Sequence, residues 1–153
     1  VSSKNVHAYI LGEHGDSSLV PWDYCYVGCE NVKDIMKDKG YSIEDLNKIH
    51  DGVWKAAYEI IDKKKATYYG IGMALARLVK AVTDDENAIL TVSAYLKNEY
   101  MQNDIYIGVP AIINKDGVKD LLKLKLNPAD QEKFNKSCNI IRENLEEIKR
   151  TLE

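Results

Sequence analysis

The chain has 153 residues, enough to bury about two-thirds of its unfolded surface, so neither a metal nor a disulfide is needed to hold a fold together. Its 21 basic and 24 acidic side chains leave a net charge of −3, which supplies no field of the sign a phosphate backbone requires and excludes nucleic acid as a partner. No apolar run approaches the roughly 20 residues that a bilayer demands, and the amino end lacks the layout of a signal peptide; a soluble, cytoplasmic protein with no membrane partner is expected.

Val6 to Leu11 is β-prone and runs into Gly12, which predicts a short buried strand ending in a loop that carries His14. In YILGEHGDS, residues 9–17, a glycine on either side of His14 permits unusual backbone angles and lets the imidazole stand clear of the chain. Leu19 to Val27, with Pro21 near its start and Gly28 after it, reads as strand or irregular. Ser42 with Asp45 resembles a capping box, and Leu46, Ile49, Val53, Ala56 and Ile60 recur at helical spacing. After Lys63, Lys64 and Lys65, a second period runs through Ile71, Ala74, Leu75, Leu78, Val79 and Val82, as a separate helix or one bent at Gly70 and Gly72. Ala88 to Leu96, Ile105 to Ile113 and Val118 to Leu126 predict an antiparallel meander with one wet face. Asn127 then caps, Pro128 takes the first helical position, and Phe134, Cys138, Ile141, Leu145, Ile148 and Leu152 form a stripe along a closing helix. No repeat or linker divides the chain, so one domain is expected.

The chemistry concentrates at His14. Histidine is the side chain whose ordinary pKa lies near 7, which suits a group that gives a proton in one direction and takes it in the other, as reversible redox chemistry at a carbonyl requires. The plainer alternative is a loop histidine bonded to its acidic neighbours. A hydrolase using Ser17, Ser18 or Cys25 lacks the G-x-S-x-G elbow. Cys25 and Cys29 have no second Cys or His pair to complete a zinc site, and with Cys138 they form an odd set expected to be reduced, so no metal is expected. Gly70 and Gly72 are assigned to helix packing, and the lysine run to a solvated helix end. His7 shares a predicted strand face with Tyr9 and Leu11, as a core or interface histidine; His50 has no assigned role.

NVHAYILGEHGDS closely resembles the active-site strand and loop of the NAD-dependent L-lactate dehydrogenases, within the lactate and malate dehydrogenase family. KKKATYYGIGMALARLV, IYIGVPAIINKDGV and the closing helix extend the resemblance over essentially the whole chain. It implies an α+β (α/β) fold of mostly antiparallel strands with long packed helices. Residues 1–153 then form the C-terminal, substrate-binding domain, and an N-terminal NAD-binding domain is absent from the chain. The resemblance implies that His14 protonates the substrate carbonyl oxygen, that Thr67 lines the substrate pocket and that Ile71 packs on the nicotinamide ring. His7 matches a histidine that binds fructose 1,6-bisphosphate between subunits in allosteric bacterial members. The resemblance also implies pyruvate and L-lactate as the substrate pair, a place in glycolysis and fermentation, and assembly as a homotetramer. The family's nucleotide loop, lid arginine, orienting aspartate and carboxylate-clamping arginine all precede the matched stretch, so the chain alone is expected neither to bind NADH well nor to turn over pyruvate. Lys65 stands where the family often carries glycine. Glu13 and His7 favour lactate over malate, a branched 2-hydroxy acid remains open, and a non-catalytic assembly domain is the alternative from another class.

Overall fold

The computed structural model describes residues 1–152, which form two three-stranded antiparallel sheets and four α-helices, with the apolar core on the second sheet. The first sheet joins β1 (Val6–His7), β2 (Tyr26–Val27) and β3 (Glu30–Asn31). A short helix α1 (Val32–Asp38) follows, started by the Asn31 side chain, which accepts from Lys33 N–H over 2.8 Å. Then come α2 (Ile43–Lys64) and α3 (Tyr68–Thr83), the second sheet β4 (Ala88–Lys97), β5 (Asn103–Asn114) and β6 (Gly117–Leu121), and the closing helix α4 (Pro128–Leu152).

The long meander carries the core. Leu96, Ala94, Val92, Leu90 and Ala88 of β4 stand opposite Ile105, Ile107, Val109, Ala111 and Ile113 of β5. With side chains alternating along a strand, all ten fall on one face. Two helices divide that face between them. Phe134 and Cys138 of α4 cover the end around Leu96, Ile105 and Ile107, where Leu11 and Leu19 join them. Ala81, Leu78 and Val82 of α3 cover the end around Ala111 and Ile113. Asn127 Oδ1 accepts from Asp130 N–H over 2.9 Å, so the predicted cap of α4 is in place.

Several expectations are corrected. The buried strand from Val6 to Leu11 is a strand only at Val6–His7, and its residues are exposed apart from half-buried Tyr9 and fully buried Leu11. β1 pairs only with β2 and no layer covers its outer face, so His7 is a surface residue and not a core one. The third strand of the meander ends at Leu121, not Leu126. Beyond Leu122, whose N–H still donates to Pro110 O, side chains hold the backbone: Tyr24 donates its hydroxyl to Lys125 O and accepts from Lys125 N–H, both over 2.8 Å. Helix α1, residues 32–38, is not among the predicted elements, although Val32, Ile35 and Met36 stand at helical spacing; at seven residues it spans only about two turns. The stripe on α2 is buried at Leu46 alone, with Ile49, Val53 and Ile60 exposed, and on α4 the half beyond Ile141 is bare.

The α2–α3 break falls at Lys65–Thr67 and not at the glycines. Lys65 is left-handed, at φ +64, a conformation that costs an L-residue roughly 1–2 kcal/mol and glycine nothing. Lys65→Gly is expected to stabilise the protein by about 0.5–1 kcal/mol after the extra freedom of unfolded glycine is subtracted, seen as a thermal midpoint about 1–4 °C higher. A lower midpoint would show that the Lys65 Nζ bond to Asp62 O, at 2.8 Å, outweighs the backbone.

Tyr100 links the meander to α4. Its ring lies 5.2 Å from that of Phe134 and its hydroxyl donates to Leu122 O. Burial pushes its phenol up to about 12. A folded pKa above the unfolded value of about 10 means that the stabilisation is fully present below pH 10 and is lost as pH rises from about 10 through 12. Tyr100→Phe is expected to cost about 1–3 kcal/mol near neutrality through the unpaired Leu122 carbonyl. It should also flatten the fall in stability across that alkaline window, as measured by urea unfolding at a series of pH values.

Candidate active site

The loop that carries His14 is closed at its base by backbone alone. Leu11 and Leu19 exchange hydrogen bonds of 2.8 and 2.9 Å, and Gly12 exchanges two more with Gly108 of β5, at 2.9 and 3.0 Å. Both glycines are needed there. Gly12 sits at φ +103, and a Cβ on Gly108 would lie 2.7 Å from the Gly12 carbonyl oxygen. The expectation that glycine on both sides of His14 adopts unusual angles therefore holds at Gly12 but not at Gly15, whose φ is ordinary.

Beyond Gly12 the loop is tied to two helices. Glu13 N–H donates to Ser137 Oγ of α4 over 2.7 Å. The Asp16 carboxylate accepts from Trp54 Nε1 over 2.7 Å and from the Tyr58 hydroxyl over 2.9 Å, both on α2. The bond to Asp16 raises the Tyr58 pKa. His14, between these anchors, is exposed, and among the described residues none is hydrogen-bonded to its ring. The alternative of a histidine bonded to its acidic neighbours therefore fails: Glu13 engages Ser17, and Asp16 engages α2.

The imidazole borders a cleft of about 580 Å³ between the loop, α3 and β4, and the same cleft is lined by Thr67 and Ile71. Thr67 is the N-cap of α3 but its side chain makes no capping bond, which leaves the hydroxyl for a ligand; Ile71, one turn on, is exposed and presents an apolar wall. The imidazole of the loop thus meets, at one cavity, a hydroxyl and an apolar side chain from the start of α3. Arg77 also reaches the cleft, but its guanidinium is engaged by Glu86 at 2.6 Å, and that bond lowers the Glu86 pKa. Among the described residues, Arg77 is the only arginine on this cleft.

His7 is not part of this assembly. It lines a separate surface recess with Asn5, Gly28 and Lys39. His50 lies half-buried on α2. Gly70 and Gly72 depart from the helix-packing expectation: a Cβ at either would meet nothing within 4 Å, and Gly70 instead borders the cleft. For the hydrolase alternative, Ser17 is engaged by Glu13, Cys25 is buried with its thiol pushed up by desolvation, and among the described residues none of Ser17, Ser18 and Cys25 is hydrogen-bonded to His14 as a nucleophile would be to its base. Sequence reasoning placed Asp16 only as an acidic neighbour of His14 and gave no role to Gly108, Trp54, Tyr58 or Ser137. Two of these left a trace: Gly108, a glycine inside a β-branched run, and Ser137, a serine three residues after Phe134 on the core side of α4.

Residues 1–152 match the family described as lactate/malate dehydrogenase, alpha/beta C-terminal domain. The L-lactate dehydrogenase 1 of Bacillus cereus is 47% identical over 146 residues, covering 95% of this chain and 46% of that protein. The minor L-lactate dehydrogenase of Enterococcus mundtii, solved in a ligands-bound form, superposes with a TM-score of 0.91 at 44% identity, over 97% of this chain and 48% of that one. A lactate dehydrogenase from Cryptosporidium parvum, complexed with lactic acid and nicotinamide adenine dinucleotide, superposes at 0.86 with 30% identity, over 93% of this chain and 45% of that one. The chain spans about half the length of the curated relatives it matches.

Proposed function

As the chain belongs to the lactate/malate dehydrogenase family, we propose that it supplies the C-terminal, substrate-binding half of an NAD-dependent L-lactate dehydrogenase that interconverts pyruvate and L-lactate. The observation that carries the reading is the meeting of His14, Thr67 and Ile71 on one cleft. The loop of His14 reaches it from β5 and α4, while the other two stand on α3.

Each residue has a task that its chemistry suits. In the reducing direction a carbonyl oxygen gathers negative charge, and the His14 imidazolium neutralises it by handing over a proton; in the oxidising direction the neutral ring takes the hydroxyl proton back. Reduced nicotinamide adenine dinucleotide, when bound, supplies the hydride to the carbonyl carbon. Ile71 offers an apolar face that fits one side of the nicotinamide ring, and Thr67 offers a hydroxyl to the substrate. The arginine that clamps the substrate carboxylate, the aspartate that orients His14 and most of the dinucleotide site belong to a preceding NAD-binding domain, so residues 1–153 alone are inactive.

Partners follow the same reading. Exposed apolar side chains on α2 and α3, Ile49, Val53, Tyr68 and Met73 among them, favour burial in a homotetramer. His7 and Lys39 on one recess favour fructose 1,6-bisphosphate as an effector between subunits. The setting is cytoplasmic, in glycolysis and fermentation.

The test is NADH oxidation by the full-length protein that contains this chain, with pyruvate and separately with oxaloacetate, and by the 153-residue chain alone. Turnover of pyruvate in preference to oxaloacetate, with a silent chain, is the expected result. A preference for oxaloacetate would make it a malate dehydrogenase, and turnover by the chain alone would show that nothing is missing from the site.

A further inference from the structure

Ser137 is the one buried polar side chain of the core among the described residues, fully enclosed between Phe134 and Cys138 on α4. Packing does not call for a hydroxyl there, since its helix neighbours in the core are apolar. Its partners explain it. Glu13 N–H donates to Ser137 Oγ over 2.7 Å, Ser137 Oγ and Ser17 Oγ stand 3.0 Å apart, and the Ser17 hydroxyl is bonded to Glu13 Oε2.

Counting protons gives this chain a single direction. An ionised carboxylate only accepts, so Ser17 directs its one hydroxyl proton to Glu13. Ser17 then has only lone pairs to offer Ser137, so the Ser137 proton goes to Ser17 Oγ. That leaves a Ser137 lone pair for Glu13 N–H. The bonds start at the Glu13 backbone and return to the Glu13 side chain, and each polarises the next. The closed ring runs through the backbone N–H and the side chain of Glu13, the residue immediately before His14.

We propose that Ser137 is a positioning residue for His14: through the Glu13–Ser137–Ser17–Glu13 ring, the closing helix sets the angle at which the loop presents the imidazole to the cleft. This rests on the reading of His14 as the proton carrier. The fit is tight, since a Cβ on Gly12 would lie 2.6 Å from Ser137 Oγ, so the loop backbone passes over the hydroxyl with no room for a side chain. Asp16, clamped by Trp54 and Tyr58, holds the far side of the loop, and His14 is the free residue between the two anchors.

The experiment uses the full-length enzyme with Ser137→Ala, Ser137→Cys and Ser17→Ala, measuring kcat and KM for pyruvate, NADH affinity by fluorescence and the thermal midpoint. Ser137→Ala is expected to lower kcat/KM about 10–100-fold, mainly in kcat, because a displacement of about 1 Å at the reacting group suffices. NADH affinity should stay within about twofold, as the cofactor is held mostly elsewhere. Ser137→Cys fills the same space with a weaker acceptor and should fall between wild type and Ala. Ser17→Ala keeps the Glu13–Ser137 bond and should lose less than Ser137→Ala. Should the Ala variant fail to fold, the Cys and Ser17 variants carry the test. A kcat within about twofold of wild type in every folded variant, with only the midpoint lowered, would make Ser137 structural and overturn the proposal. A wild-type enzyme that leaves pyruvate untouched would instead defeat the functional reading, whatever Ser137 does.

Discussion

His14→Gln in the full-length enzyme should cut kcat/KM for pyruvate by a factor on the order of 10²–10⁴, the usual contribution of a positioned general acid. Glutamine keeps a donor of similar reach, so hydrogen bonding to the carbonyl oxygen survives. Its amide protons are not acidic enough to transfer, so the negative charge that gathers on the oxygen must wait for a proton from water. Stability should change by no more than about 0.5 kcal/mol, because the ring is exposed and, among the described residues, unpaired. Steady-state assays paired with thermal unfolding separate the two effects. Activity retained in a folded His14→Gln enzyme would remove the proton carrier from the mechanism, and with it the functional reading.

That exposure also explains why His14 could be read from the sequence while its supports could not. The glycines flanking it, the cap of α4 at Asn127 and Pro128, and the alternation in β4 and β5 are local signals, and the structure keeps them. Thr67 and Ile71 sit four apart on one helix, so their common face is also a local matter. The supports act across the chain: Glu13 meets Ser137 at a separation of 124 residues, and Asp16 meets Tyr58 at 42. No periodicity encodes such pairs. Helical spacing likewise cannot say whether a stripe is covered, which is why α2 and the end of α4 carry the predicted pattern yet remain bare. Lys65 shows the converse, since a departure noticed only by resemblance proves to be a left-handed residue at a helix end.

Gly108 offers the sharpest test of whether the loop is held rather than merely adjacent. It lies in mid-strand, opposite Ser93 of β4, a place where glycine ordinarily weakens a sheet and marks a close approach of another backbone. The approaching backbone is Gly12: a Cβ added to Gly108 would sit 2.7 Å from its carbonyl oxygen. Neither partner can yield by rotating a side chain, because neither has one. Gly108→Ala should therefore force the loop from β5, break the paired bonds of 2.9 and 3.0 Å, and cost about 1–3 kcal/mol, as overpacking does. The activity loss should be larger than that stability loss implies, about 10²-fold in kcat/KM, since His14 lies two residues beyond the broken pair. Gly52→Ala on exposed α2, where a Cβ meets nothing within 4 Å, is the control, and there the gain in helix propensity should stabilise by about 0.5–1 kcal/mol. If Gly108→Ala matched the wild type in midpoint and in kcat, the loop would have another rest position compatible with catalysis, and the backbone pair would not be what places His14.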